Sequence, residues 1–150
     1  MAEDRFALVY RYRFTGVAFW DCAKKSESMI KNRYGEPTEI EIIPYLFLVA
    51  HAAELLLKAA LARKGYSEKY LTSKPLRHNL SKLSELLAKN GVSLSSSTVD
   101  LIDGLSEDHD KFAYRYGQAF FRKTNKPTPM NDLNEMLFEL LSFTGNKNRP

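Results

Sequence analysis

Cysteine is almost missing from this chain: Cys22 stands alone. No disulfide can form within it, and a reducing, cytoplasmic compartment is the natural expectation. With 150 residues, one domain can bury roughly 68–70% of its unfolded surface, so neither a disulfide nor a metal is needed for stability. Also lacking is a basic start followed by a long apolar run, so "MAEDRFALVY" does not read as a signal peptide. The longest apolar-rich stretch, Ile42 to Leu57, is interrupted by His51 and Glu54 and is short for a membrane span. No membrane association is expected.

The familiar catalytic signatures are missing too. There is no Walker loop, no dinucleotide glycine motif, no HExxH and no GxSxG. Cys22 has no CxxC partner and sits in an apolar stripe, which predicts a buried, inert thiol. No internal repeat or low-complexity segment is visible. Acids are absent from one window in particular, "KFAYRYGQAFFRKTNK" at 111–126. It holds Lys111, Arg115, Arg122, Lys123 and Lys126, so the rest of a chain at +4 overall sums to −1. The basic character is local, and local basicity points to a partner.

Apolar spacing in the remainder is mostly helical. The first fourteen residues are the exception. Phe6, Leu8, Tyr10, Tyr12 and Phe14 share one parity, and period two predicts an extended arm over residues 1–15. A helix follows from Val17 to about Asn32, with Ala18, Phe19, Cys22, Ala23, Met29 and Ile30 at helical spacing. "YGEP" at 34–37 breaks it. Pro44 fits a first helical turn and Gly65 a helix end, so the central helix runs from about residue 43 to 64. It is apolar nearly all round, which predicts a helix surrounded by others. After the loop "YSEKYLTSK", a third helix is opened by Ser73 and Pro75 and carries Leu76, Leu80, Leu83 and Leu87. Ser95 to Ser97 cap a fourth, which buries Leu101, Ile102 and Leu105, and a fifth begins near Asn131 with Leu133, Leu137, Leu140 and Leu141. The expectation is an all-α, up-and-down bundle of four to five helices over residues 16–144. The extended arm precedes it, and residues 145–150 form a loose tail.

Several polar residues need an account. Glu54 lies on a core stripe with Ala50, Leu57 and Leu61, where a bare carboxylate is costly. Lys58 and His51 share its side of the helix, and an arginine from another helix could also pair with it. Arg115 is the leading distant candidate, so Glu54, Arg115, Lys58 and His51 form the expected polar core. His109 continues the apolar stripe of the fourth helix. It is either a general base or a histidine at a frayed helix end. The run "EDHD" at 107–110 splays around a helix axis, so it is not expected to converge on a metal. No metal or other cofactor is expected. His78, opposite the leucine stripe, reads as exposed or loop-contacting. In the basic window, Phe120 and Phe121 stand beside Lys111, Arg122, Lys123 and Lys126. Aromatic faces stack on unpaired bases and cations hold phosphates, so these six residues form the candidate RNA or partner surface. The alternative for the aromatic residues is a place in the core.

"AAELLLKAALARKGY" (52–66), then "LRHNLSKLSELL" (76–87), then an acidic helix end running into "FAYRYG" (112–117), resembles the HEPN domain superfamily in order and spacing. The resemblance implies a bundle of four or five helices, commonly a homodimer. It also implies either a ribonuclease of toxin–antitoxin or defence systems, or an inactive relative binding RNA, nucleotides or proteins. Active members carry an arginine four to six residues before a histidine. Positions 45–47, 72–74 and 103–105 would have to supply it here, and none is arginine. The expectation is therefore a non-catalytic HEPN-like domain that binds single-stranded RNA or a partner protein. One alternative is a divergent, metal-independent ribonuclease using His109 and Arg115. The other is a purely structural adaptor of a separate enzyme.

Overall fold

A computed structural model describes residues 4–35, 42–110 and 130–145 of the chain. Six helices lie within them: α1 (Arg5–Tyr34), α2 (Ile43–Arg63), the single turn α3 (Glu68–Leu71), α4 (Leu80–Lys89), α5 (Ser96–Asp110) and α6 (Met130–Ser142). Among the described residues there is no strand. The protein is an all-α bundle, and α2 is its centre, packed against α1, α4, α5 and α6.

The expected extended arm is instead the first third of α1. Asp4 caps it, its carboxylate accepting from the backbone N–H groups of Phe6 at 3.0 Å and Ala7 at 3.4 Å. Along α1 the buried positions are Leu8, Tyr12, Gly16, Trp20, Ala23, Glu27 and Ile30, at steps of three and four. Residues four apart necessarily share parity, so a helix face at 8 and 12 mimics alternation over a short window. Phe6, Tyr10 and Phe14, with the same parity, lie on the solvent side. Cys22 is also exposed, correcting its expected burial.

α2 follows its sequence signals closely. Pro44 stands in the opening turn, and Gly65 follows the end with φ 107°, a left-handed geometry that favours glycine. The helix extends the apolar run to Arg63. By length and composition it could cross a membrane, but 78% of that window is buried inside the bundle. Its apolar surface is covered by neighbouring helices.

α3 appears within the expected loop because Ser67 caps it through Tyr70 N–H. α4 starts four residues beyond Leu76, capped by Asn79 rather than Ser73. Polar links join the outer helices. The Trp20 indole N–H donates to Asn134 Oδ1 at 3.0 Å, and Asn134 in turn donates to Glu27 at 3.2 Å. Glu139 of α6 accepts from Ser95 N–H, Ser95 Oγ and Thr98 Oγ1 at the start of α5.

Gly16 sits where α1 meets α2 most tightly. A Cβ there would lie 3.1 Å from Leu56 Cδ2 and 3.3 Å from Leu55 Cβ. Gly16→Val should lower stability by about 1–3 kcal/mol through overpacking, read as a lower urea midpoint at unchanged slope. An undiminished midpoint would mean that the helices separate more freely than this packing allows. Cys22 should react with a thiol reagent in the native protein without denaturant, in keeping with its exposure.

Candidate functional site

All three histidines of the chain converge on one carboxylate. Glu54, on the inner face of α2, is 2% exposed. Its Oε1 accepts from the Lys58 ammonium, one turn on, at 2.6 Å. Its Oε2 lies 2.7 Å from His109 Nε2, 3.2 Å from His78 Nδ1 and 4.0 Å from His51 Nδ1. Lys58 and His109 are buried as well, at 5% and 4% exposed. The side chains of His51 and His78 remain 31% and 28% exposed, so these two rings form the outer side of the cluster.

Three segments deliver these groups. The i, i+3 and i, i+4 spacings put His51, Glu54 and Lys58 on one face of α2. His109 arrives from the last turn of α5. His78 belongs to the turn before α4, and among the described residues it is the one non-glycine with positive φ, at 60°. Such a backbone is strained for a side-chain-bearing residue and persists only where its surroundings impose it. The surroundings are visible. Asn79 caps α4, Ser81 N–H donates to Ser106 Oγ at 3.0 Å, and Ser81 Oγ donates to Asp103 at 2.6 Å. Ser106 is three residues before His109, so these bonds hold the His78 turn against the helix that carries His109. On the other side, Phe19 meets His51 edge-on at 4.5 Å between ring centres, and Phe47 stacks at 6.3 Å.

The electrostatics follow from burial and pairing. Burial alone would raise the Glu54 pKa. The His109 hydrogen bond, the Lys58 charge and hydrogen bond, and the His109 charge outweigh it and hold the carboxyl well below its ordinary 4.5. His51 is lowered from its ordinary 6.5, first by burial, against the raising effect of Glu54. It is thus neutral at pH 7, and its 4.0 Å approach to Glu54 is not an ion pair at that pH.

The expected Glu54–Lys58 pair is present, and His51 is nearby. The expected role of Arg115 falls on a residue outside the described ones, as do Lys111, Arg122, Lys123, Lys126, Phe120 and Phe121. Two histidines are corrected. His78 is neither freely exposed nor merely loop-contacting, because its Nδ1 faces Glu54. His109 is buried against the carboxylate rather than hydrogen-bonded to backbone at a frayed end. No metal is expected from the 107–110 run, and the groups that come together lie mostly outside it. His51, Glu54 and His109, drawn from two helices, bring their ligand atoms within 4.8 Å of one another. Only the tertiary docking of α5 on α2 reveals that set; the one advance signal was the count of three histidines in 150 residues. Comparison with family models, curated proteins and solved structures finds no match to this chain.

Lys58→Met should cost roughly 3 kcal/mol, the lower end for stripping one partner from a buried pair, because the histidines still face the carboxylate. A loss below about 0.5 kcal/mol in urea unfolding, as for an exposed pair, would contradict the burial. Acid should destabilise the fold in two stages. Both folded pKa values are depressed, so the unfolded chain binds more protons in each case. The His51 contribution is complete above 6.5 and fades as pH falls below it; that of Glu54 is complete above 4.5 and fades below that. Unfolding midpoints measured from pH 8 to 3 should show both declines, and Glu54→Gln should shrink the lower one to the part that Glu139, also held below its ordinary 4.5, contributes.

Proposed function

We propose that this chain is a non-catalytic, HEPN-like binding domain that holds single-stranded RNA through its basic, aromatic segment. Lys111, Arg122, Lys123 and Lys126 hold phosphates in this account, and Phe120 and Phe121 stack on bases. The observation that carries it is the commitment of His109 to the core. The histidine required by the nuclease alternative is 4% exposed, with its Nε2 against Glu54. A general base must reach the proton it removes, and a ring so placed serves the fold first. That anchoring also fixes the helix end from which the segment departs.

A described surface of similar composition supports the same reading. Phe6, Tyr10 and Phe14 are exposed at successive turns of α1, with Tyr10 and Phe14 rings 5.8 Å apart. The Arg5 guanidinium lies 5.7 Å from the Phe6 ring centre. Stacking faces beside cations suit single strands. We place the protein in the cytoplasm as a homodimer, in the toxin–antitoxin or defence setting that the resemblance implies.

A second account, a metal-independent ribonuclease, is favoured by the gathering of three histidines around one carboxylate, two of them at the surface. Acid and base groups side by side are what phosphodiester cleavage requires.

Fluorescent single-stranded RNA should bind weakly and lose affinity steeply with salt. Each phosphate contact contributes a log–log slope of about −0.7, so three or four give roughly −2 to −3. Lys123→Ala should flatten the slope by somewhat less than one contact's worth. Phe121→Ala should weaken binding at unchanged slope, because stacking releases no counterions. No binding at low salt would favour the adaptor role with a partner protein. RNA cleavage in the presence of a chelator, abolished by His78→Ala or His109→Ala, would establish the nuclease instead.

A further inference from the structure

We propose that His51, Glu54, His78 and His109 form a binding site for one divalent transition-metal ion of the zinc class. The donors converge on a single point. Three imidazole nitrogens lie 2.7, 3.2 and 4.0 Å from the same carboxylate oxygen, Glu54 Oε2. A tetrahedral ion with bonds of about 2.1 Å holds neighbouring ligand atoms about 3.4 Å apart. The three distances to Oε2 bracket that value, and His78 turns further inward to join the other donors. The ligand atoms of His51, Glu54 and His109 already lie within 4.8 Å of one another.

The donor type selects the metal. Imidazole nitrogen with one carboxylate oxygen suits zinc, cobalt, nickel or iron(II), whereas magnesium and calcium prefer all-oxygen sites. The His78 backbone agrees with this placement. A residue held at φ 60°, with its ring turned to Glu54, is placed by its surroundings rather than by its own preference. Access is available from the side of His51 and His78, the two partly exposed rings.

Lys58 sets the strength. Its ammonium occupies Oε1 at 2.6 Å and leaves Oε2 as a single-oxygen ligand. The ion takes the place of the hydrogen bond between His109 Nε2 and Oε2, and neutral His109 binds it as the tautomer whose proton sits on Nδ1. A second cation so near the ion weakens its binding, so the site is of moderate affinity and improves when Lys58 is neutralised.

The test is titration of the purified, chelator-treated chain with Co²⁺, followed by visible absorption and by thermal unfolding. One equivalent should give the ligand-field bands of a nitrogen-rich, low-coordinate site, and Zn²⁺ should abolish them by competition. His51→Ala and His78→Ala change partly exposed positions, and circular dichroism checks that each still folds. Each should weaken binding roughly 10-fold or more, and the double variant should lose the bands. Lys58→Met should bind more tightly, because a like charge beside the ion is removed, and its lowered unfolding temperature should recover when Zn²⁺ is added. Absence of bands at millimolar Co²⁺ would overturn the proposal. So would bands that survive in the double histidine variant, or a Lys58→Met protein that Zn²⁺ does not rescue.

Discussion

An ionised carboxylate at the centre of an apolar bundle sets the terms for everything around it. Removing Glu54 from water costs several kcal/mol unless donors replace the lost hydration. Lys58 supplies a full opposite charge to one oxygen, and His109 and His78 face the other. These partners come from three separate places in the chain. The carboxylate therefore ties α2 to the end of α5 and to the turn before α4. If any of those elements drifts outward, a buried charge is left short of partners.

The support extends outward in layers. The His78 backbone is held in the left-handed region by bonds that join its turn to α5 at Ser106 and Asp103. His51 is wedged by Phe19 of α1 and Phe47 of α2. α1 is drawn close by Gly16, where any side chain would meet Leu56. On the far side, Glu139 gathers the donors at the start of α5. The orientation of His109 thus depends on α5 being fixed at both ends, by Glu139 at its start and Glu54 near its finish.

What the sequence disclosed, and what it did not, divides along the same line. Local chemistry was legible. Pro44 and Gly65 bounded α2, its all-round apolar surface placed it at the centre, and the i, i+4 spacing paired Glu54 with Lys58. Features decided by docking were not legible. Leu8 and Tyr12 mimic alternation, because a four-residue step has the parity of a strand, and the burial of Trp20 and Ala23 further on marks the helix. His78 looked peripheral, because its position relative to the leucine stripe of α4 says nothing about a turn folded back onto α5. His109 lies among acidic neighbours in sequence, and the partners that matter are 55 and 31 residues away. The count of three histidines was visible, but their common target was not.

Stability alone gives a poor account of why such a cluster exists. Buried ion pairs can often be replaced by well-packed apolar side chains at no loss, and sometimes with a gain. α2 already carries leucine and alanine at neighbouring buried positions, so an apolar residue at 54 would meet no shortage of contacts. The chain instead keeps a carboxylate, a lysine and three histidines there, and holds one of them on strained backbone. Two of the rings are left partly open to solvent rather than sealed in. A purely structural tether needs neither the openness nor the strain; a site that must admit something from outside needs the first, and the second aims a donor into it. The cluster thus does two things at once: its buried side, Lys58 and His109, ties the helices together, and its outer side, His51 and His78, keeps polar atoms within reach of solvent.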